Sequence, residues 1–186
     1  MPISDLINAC EKEMSSKIEK LKLEFNSLRT GRANPQLLDS VYIEYYGSRV
    51  PLKQIAAISA PDARTLEIKP WDKTAIEVIE NELKKVDLGS IPQRQGDLIR
   101  VNLPSMNEEQ RKKLVKVVSQ ISEDIRVEIR NIRRDFIEKI KKAQKNSEIS
   151  EDDSKRHEAQ IQKITDKYIE NVNQISQTKE KELLSI

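Results

Sequence analysis

The sequence predicts an α+β protein in which an elongated three-helix bundle is interrupted by a small mixed β/α domain. Three observations predict it. About forty residues from Asn107 to Asn146 contain neither Gly nor Pro and carry apolar residues at three- and four-residue spacing. All four glycines and six of the seven prolines fall between Gly31 and Pro104. Helical periodicity recurs once before that segment and twice after it, and no lone amphipathic helix can bury its own stripe.

The first helix is expected from about Ser4 to Arg29, with Ile7, Cys10, Met14, Ile18 or Lys17, Leu21, Phe25 and Leu28 along one face. Gly31 can adopt the left-handed backbone that closes a helix, and Pro35 blocks its resumption. Cys10, on the apolar face, reads as a small packed residue rather than a nucleophile. As the only cysteine, it also excludes an internal disulfide and fits a reducing compartment.

In the mixed segment, Val41 to Tyr46 has strand composition and Gly47-Ser48 reads as a turn into a second strand, Val50 to Ser59. Thr65 to Ile68 alternates as a third strand, and Leu98 to Leu103 makes the last. Thr74 and Glu77 have capping-box spacing for a short helix through Val86, which Asp87-Leu88-Gly89 stops. Trp71 is expected to anchor the core or its edge. Ten basic and ten acidic residues leave this segment neutral.

The long helix follows, with Asn107 and Gln110 spaced as a capping box. Its apolar row is Leu114, Val118, Ile121, Ile125, Ile129, Ile132, Phe136, Ile140 and Ala143. At 1.5 Å per residue it spans roughly 60 Å, too long for one compact core to enclose. Ser147 to Asp153 breaks the pattern. Ser150 and Asp153 can then cap a last helix to about Leu184, with Ile161, Ile164, Tyr168, Val172 and Ile175 on its face. Residues 1–30 and 105–186 therefore form the bundle, and residues 31–104 are inserted in it. The two crossings, Thr30-Gly31-Arg32 and Pro104-Ser105-Met106, make a natural hinge, because a few terminal residues can absorb rotation.

Charge singles out the long helix. Arg111 to Lys145 holds twelve basic and five acidic residues, a net of +7 in a chain whose total is +2. Measured from Ile125 at about 100° per residue, the apolar stripe runs from about −40° to 60°. Arg133, Arg126 and Arg130 fall near 80°, 100° and 140°, with Arg134 near 180°. Asp124, Glu128, Asp135 and Glu138 lie on the opposite flank, so only Glu123 can easily neutralise the row. Arg is used throughout, although Lys outnumbers it twenty-one to twelve in the chain. A planar guanidinium grips two phosphate oxygens at once, which an ammonium cannot do. The pattern points to a phosphate-binding stripe, with a solvated charged face as the simpler alternative.

Other chemistry is absent. One His and one Cys allow neither a Cys/His zinc cluster nor a nucleophile–histidine pair. The four isolated glycines form neither a dinucleotide fingerprint nor a P-loop. Glu151, Asp152 and Asp153 lack the spacing of a calcium loop. No apolar run approaches the length of a membrane span, and the N-terminus lacks the regions of a secretory signal. The residues describe a monomeric, cytoplasmic binding protein without cofactor or metal, not an enzyme.

Several segments together resemble the bacterial ribosome recycling factor family. They are Leu28-Arg29-Thr30-Gly31-Arg32-Ala33, Glu44-Tyr45-Tyr46-Gly47 with Pro51-Leu52, Asp87-Leu88-Gly89, and Ile99-Arg100-Val101 with Leu103-Pro104. Arg130-Asn131-Ile132-Arg133-Arg134-Asp135 and Glu148-Ile149-Ser150-Glu151-Asp152-Asp153 complete the set. Two departures are Asn107, where Thr is usual, and Gln110, where many members carry Arg. The resemblance implies an L-shaped protein that binds the large ribosomal subunit after termination. With elongation factor G and GTP, it would split the subunits and release messenger and transfer RNA. It also implies that Arg111, Arg130 and Arg133 contact ribosomal RNA, and extends that role to Arg29 and Arg32 at the crossing. Arg126 and Arg134 join the site from the charge pattern alone. A coiled-coil adaptor and a general RNA chaperone are the rival readings.

Overall fold

In a computed structural model, which describes residues 3–185, the chain divides into two compact units. One holds the residues through Phe25 together with those from Lys112 onward; the other is Asn26–Arg111.

Three helices supply the first unit: α1 (Ile3–Ser27), α3 (Glu108–Lys145) and α4 (Glu151–Leu184). Their cores follow the expected spacing. Cys10, Met14, Ile18, Leu21 and Phe25 of α1 are buried with Val118, Ile125, Ile129, Ile132, Phe136 and Ile140 of α3. Burial pushes the Cys10 thiol up to about 11, with Glu13 adding to the effect, so it is a packed thiol and not a thiolate.

Cross-helix bonds fix the directions. Rising numbers on α3 meet falling numbers on α4: the Ser122 and Ser176 hydroxyls are bonded at 2.9 Å, Arg126 donates to Asn173 at 2.9 Å, and Arg133 to Gln162 at 3.2 Å. The two helices are therefore antiparallel. Lys17 and Lys20 of α1 both reach Glu128 of α3, at 2.9 and 2.6 Å, and Lys167 of α4 reaches Glu11 of α1 at 3.0 Å.

The caps form as their spacing requires. Asn107 Oδ1 accepts from the Gln110 N–H at 2.8 Å, and Gln110 Oε1 accepts from the Asn107 N–H at 3.0 Å. Ser150 Oγ accepts from the Asp153 N–H at 3.1 Å and opens α4.

Three core positions depart from the apolar pattern. Ser122 is buried where Ile121 was expected, and on α4 Thr165 and Ser176 are buried beside half-buried Ile164 and Ile175. Small hydroxyl residues let α3 and α4 approach closely, and each hydroxyl finds a partner: Ser122 and Thr165 donate to the carbonyls of Val118 and Ile161, both at 2.8 Å.

The second unit contains a hairpin of β1 (Tyr42–Tyr45) and β2 (Ser48–Pro51), joined by Tyr46-Gly47. Both turn residues have positive φ, 47° and 74°, as the right-handed strand twist demands of a two-residue loop. The turn thus sits one residue before the expected Gly47-Ser48. The expected strand from Val50 to Ser59 splits in two, because Leu52–Gln54 winds into a 3₁₀ turn between β2 and β3 (Ala56–Asp62).

A four-stranded antiparallel sheet has the order β3, β4 (Thr65–Pro70), β6 (Leu98–Asn102), β5 (Gln93–Gln95). The polar three-residue β5 gave no hydrophobic alternation and was not expected. Leu66, Ile68, Ile99 and Val101 point to one face and share a core with Ile76, Ile79 and Leu83 of α2 (Ile76–Lys85).

The cap of this helix lies earlier than its sequence spacing suggests. Asp72, not Thr74, is the cap: its Oδ1 accepts the Thr74 N–H at 2.9 Å and opens a 3₁₀ turn that runs into α2. The same carboxylate accepts from Tyr45 Oη at 2.7 Å, which pushes Tyr45 up to about 12 and holds Asp72 low. Trp71 is 67% exposed and is no core anchor. The buried parity of β4 is taken by Leu66, Ile68 and Pro70, so the next residue points away.

The residues expected at the two crossings pack side by side within this unit. Gly31 has φ +77°, and a Cβ there would sit 3.3 Å from the Pro104 carbonyl oxygen. Gly47 has φ +74° with open space around it. Both Gly31→Ala and Gly47→Ala are expected to lose about 1–2 kcal/mol to left-handed backbone strain. Gly31→Ala should lose more because of the contact, seen as a lower denaturant midpoint than that of Gly47→Ala.

Bonds from Lys20 and Lys17 hold the Glu128 carboxyl below the usual glutamate range. A folded value below the unfolded one adds stability above the unfolded value and loses it as pH falls through the folded value. Stability of the bundle should therefore fall on acidification from about pH 5, and Glu128→Gln should show a smaller fall between about pH 5 and 3.

Candidate nucleic-acid interface

The α3 row is assembled as its spacing predicts, on the flank that α4 partly covers. Arg126 is 21% exposed and Arg130 42%. Arg133 is half-buried and Arg134 exposed. Each of the first three is held by a defined acceptor. Arg126 Nε donates to Asn173 Oδ1, and its Nη1 to Glu123 Oε2 at 3.0 Å. Arg130 Nη1 donates to the other oxygen of the same carboxylate at 3.1 Å. Arg133 Nη1 donates to Gln162 Oε1, and its Nε is buried without a partner.

Glu123 is thus a bridge between two guanidiniums, and their hydrogen bonds hold its carboxyl below the usual glutamate range. Two acids of the opposite flank are engaged elsewhere: Glu128 by Lys17 and Lys20, and Asp124 by Gln120 at 2.9 Å. Three guanidiniums against one carboxylate leave two positive charges, and exposed Arg134 adds a third. From Arg126 to Arg133 the row advances about 10 Å along the helix. The guanidiniums are not folded onto a matching set of carboxylates, so the ridge remains cationic.

The other expected site residues lie in the second unit. Arg29 donates to the Asp87 backbone carbonyl and pairs with the Asp87 carboxylate at 2.9 Å, which holds Asp87 below its usual range. A Cβ on Gly89 would lie 3.4 Å from Arg29 Nη2 and 3.2 Å from Pro104 Cγ, so this guanidinium ties the Asp87–Gly89 turn in place. Arg32 is exposed, and its N–H donates to Thr30 Oγ1 at 3.4 Å. Arg111 is half-buried at the start of α3.

The sequence did not reveal the acceptors on α4, Gln162 and Asn173. Their signal is an eleven-residue separation, three helical turns, which puts two amides on one row. Among the described residues no group of three or more His, Cys, Asp or Glu could hold a metal ion. No described helix is long and apolar enough to cross a membrane.

Residues 21–184 match a family model described as Ribosome recycling factor. Curated relatives include the ribosome-recycling factors of Symbiobacterium thermophilum, 47% identical over 98% of both chains, and Brevibacillus brevis, 48% identical over 97% of this chain and 98% of that one. A solution structure of ribosome recycling factor superposes with a TM-score of 0.79 at 40% identity, covering 100% of this chain and 99% of the other. A second match is a Thermus thermophilus ribosome recycling factor, placed with Escherichia coli elongation factor G on an E. coli post-termination complex. It has a TM-score of 0.69 at 46% identity and covers 99% of this chain and 100% of that one.

Glu123 sets how much of the row's charge any polyanion can reach. Glu123→Gln should elute from a heparin column at higher salt than the wild-type protein, and Arg130→Ala at lower salt. Unchanged elution of Glu123→Gln would mean that its carboxylate does not compete for the guanidiniums.

Proposed function

The chain belongs to the ribosome recycling factor family, and on that premise we propose that it binds the large ribosomal subunit of the post-termination complex. With elongation factor G and GTP it then splits the subunits, and messenger and transfer RNA leave. The observation that carries the binding step is the four-arginine row of α3, opposed by one carboxylate. RNA recognition by shape relies on phosphate and sugar contacts, which suits an edge of guanidiniums with no base-reading pocket. The same row supports Arg126, Arg130, Arg133 and Arg134 as the principal RNA contacts, with Arg111, Arg29 and Arg32 as further ones.

The relative from Thermus thermophilus stands with elongation factor G on a ribosome, which supports the same two partners for this chain. We assign the energy to GTP hydrolysis by that partner, and to this chain a mechanical and binding role without cofactor, as a cytoplasmic monomer. In this reading residues 1–30 and 105–186 are the RNA-binding rod, and residues 31–104 swing about Thr30-Gly31-Arg32 and Pro104-Ser105-Met106. Beyond Arg32 at its root, the neutral charge of the inserted segment suits it to move without being held by RNA.

The test is a subunit-splitting assay with and without elongation factor G and GTP; splitting that ignores both would reject the proposed mechanism. Arg133→Ala should weaken binding to the large subunit by roughly 1–3 kcal/mol, the scale of a desolvated charge-assisted contact, with an unchanged circular dichroism spectrum. Wild-type affinity should fall steeply as salt rises. An affinity indifferent to salt would instead favour a protein-binding adaptor, and equal affinity for any RNA a chaperone.

A further inference from the structure

Two guanidiniums of the row, those of Arg126 and Arg133, are held from another helix, and both holding groups are uncharged. Asn173 Oδ1 takes the Arg126 Nε–H at 2.9 Å, and Gln162 Oε1 takes an Arg133 Nη1–H at 3.2 Å. Gln162 is itself fixed, because its Nε2 donates to Asp166 Oδ1 at 2.8 Å and its carbonyl oxygen is left for Arg133. The Asp166 carboxylate thus reaches Arg133 only through a neutral amide. A guanidinium has five N–H donors. Arg126 uses one on Asn173 and one on Glu123. Arg133 uses one on Gln162 and has its Nε buried. Three donors remain on each.

We propose that Asn173 and Gln162 are positioning residues of the RNA-binding edge, orienting Arg126 and Arg133 without neutralising them. This rests on the proposed role of those arginines at RNA phosphate. An aspartate at 173 would hold Arg126 more strongly, since hydrogen bonds between charged groups are the stronger ones, but it would consume the charge that phosphate needs. An alanine would leave the charge and lose the orientation, so binding would have to order a free side chain. The amide is the one of the three that does both.

The experiment measures binding to purified large ribosomal subunits over a series of salt concentrations, with thermal melts alongside. Asn173→Asp should bind roughly tenfold more weakly, the scale of one charge-assisted contact, and reduce the salt slope by about one. Its melting temperature should be equal to or above that of the wild-type protein. Asn173→Ala should bind severalfold more weakly with the salt slope retained. Gln162→Ala should behave like Asn173→Ala. Arg126→Ala is run in parallel to separate the two layers of the argument. Wild-type binding by Arg126→Ala would remove the RNA-edge reading itself. Weakened Arg126→Ala beside wild-type binding by both Asn173 variants would overturn the positioning role alone. So would an equal loss in the two Asn173 variants with one unchanged salt slope, because that pattern belongs to a packing defect.

Discussion

A 38-residue helix must bury one apolar stripe along about 57 Å of its length, and the bundle is arranged around that requirement. The stripe is about 100° wide, so two neighbouring helices can cover it and no more. What lies on either side of it is then decided by which neighbour runs there. Glu128, on the negative flank, is met by Lys17 and Lys20 of α1; Arg126 and Arg133, on the positive flank, are met by Asn173 and Gln162 of α4. The angular position of each residue on α3 thus selects its partner helix.

The two seams are chemically unlike. Along α1 an anion is matched by two ammonium groups, which suits a contact whose only task is to close the bundle. Along α4 the guanidiniums meet amides, and a single carboxylate is shared between Arg126 and Arg130. Such a seam leaves charge uncancelled at its edge, which favours association with an anion over internal stability. Ser122 and Ser176 sit in the same seam and bond to each other, so the helices approach closely there and the arginine stems are held along α4.

Most of the bundle was legible because three- and four-residue spacing and capping chemistry are local. Asn107 with Gln110 and Ser150 with Asp153 form the bonds their spacing requires. Arg126, Arg130 and Arg133 fall on one flank as simple helix geometry dictates. Ser122, Thr165 and Ser176 were not legible, because a hydroxyl enters a core only when another helix comes close enough to satisfy it, and that is not a local property. The mixed segment was harder for the same reason. β5 is polar and three residues long and exists only because β6 offers it a paired edge, while Asp72 displaces Thr74 as a cap because Tyr45 and the 3₁₀ turn share its carboxylate. Arg29 was read beside the α3 row, and its tie to Asp87 depends on a turn nearly sixty residues later in the chain.

The Nε of Arg133 brings these threads together. A buried donor with no acceptor costs about 1–3 kcal/mol, and a Leu or Met at this place would lie along α4 without that penalty. The side chain also gives one donor to a neutral amide, which returns less than a carboxylate would. Position 133 keeps a guanidinium partly desolvated, oriented and charged at the rim of a helix seam. Desolvation that weakens the fold strengthens an encounter with phosphate, since less water has to be displaced and the local dielectric is lower. A guanidinium held in this way keeps its charge at the edge of the seam, which is what the proposed contact with phosphate requires.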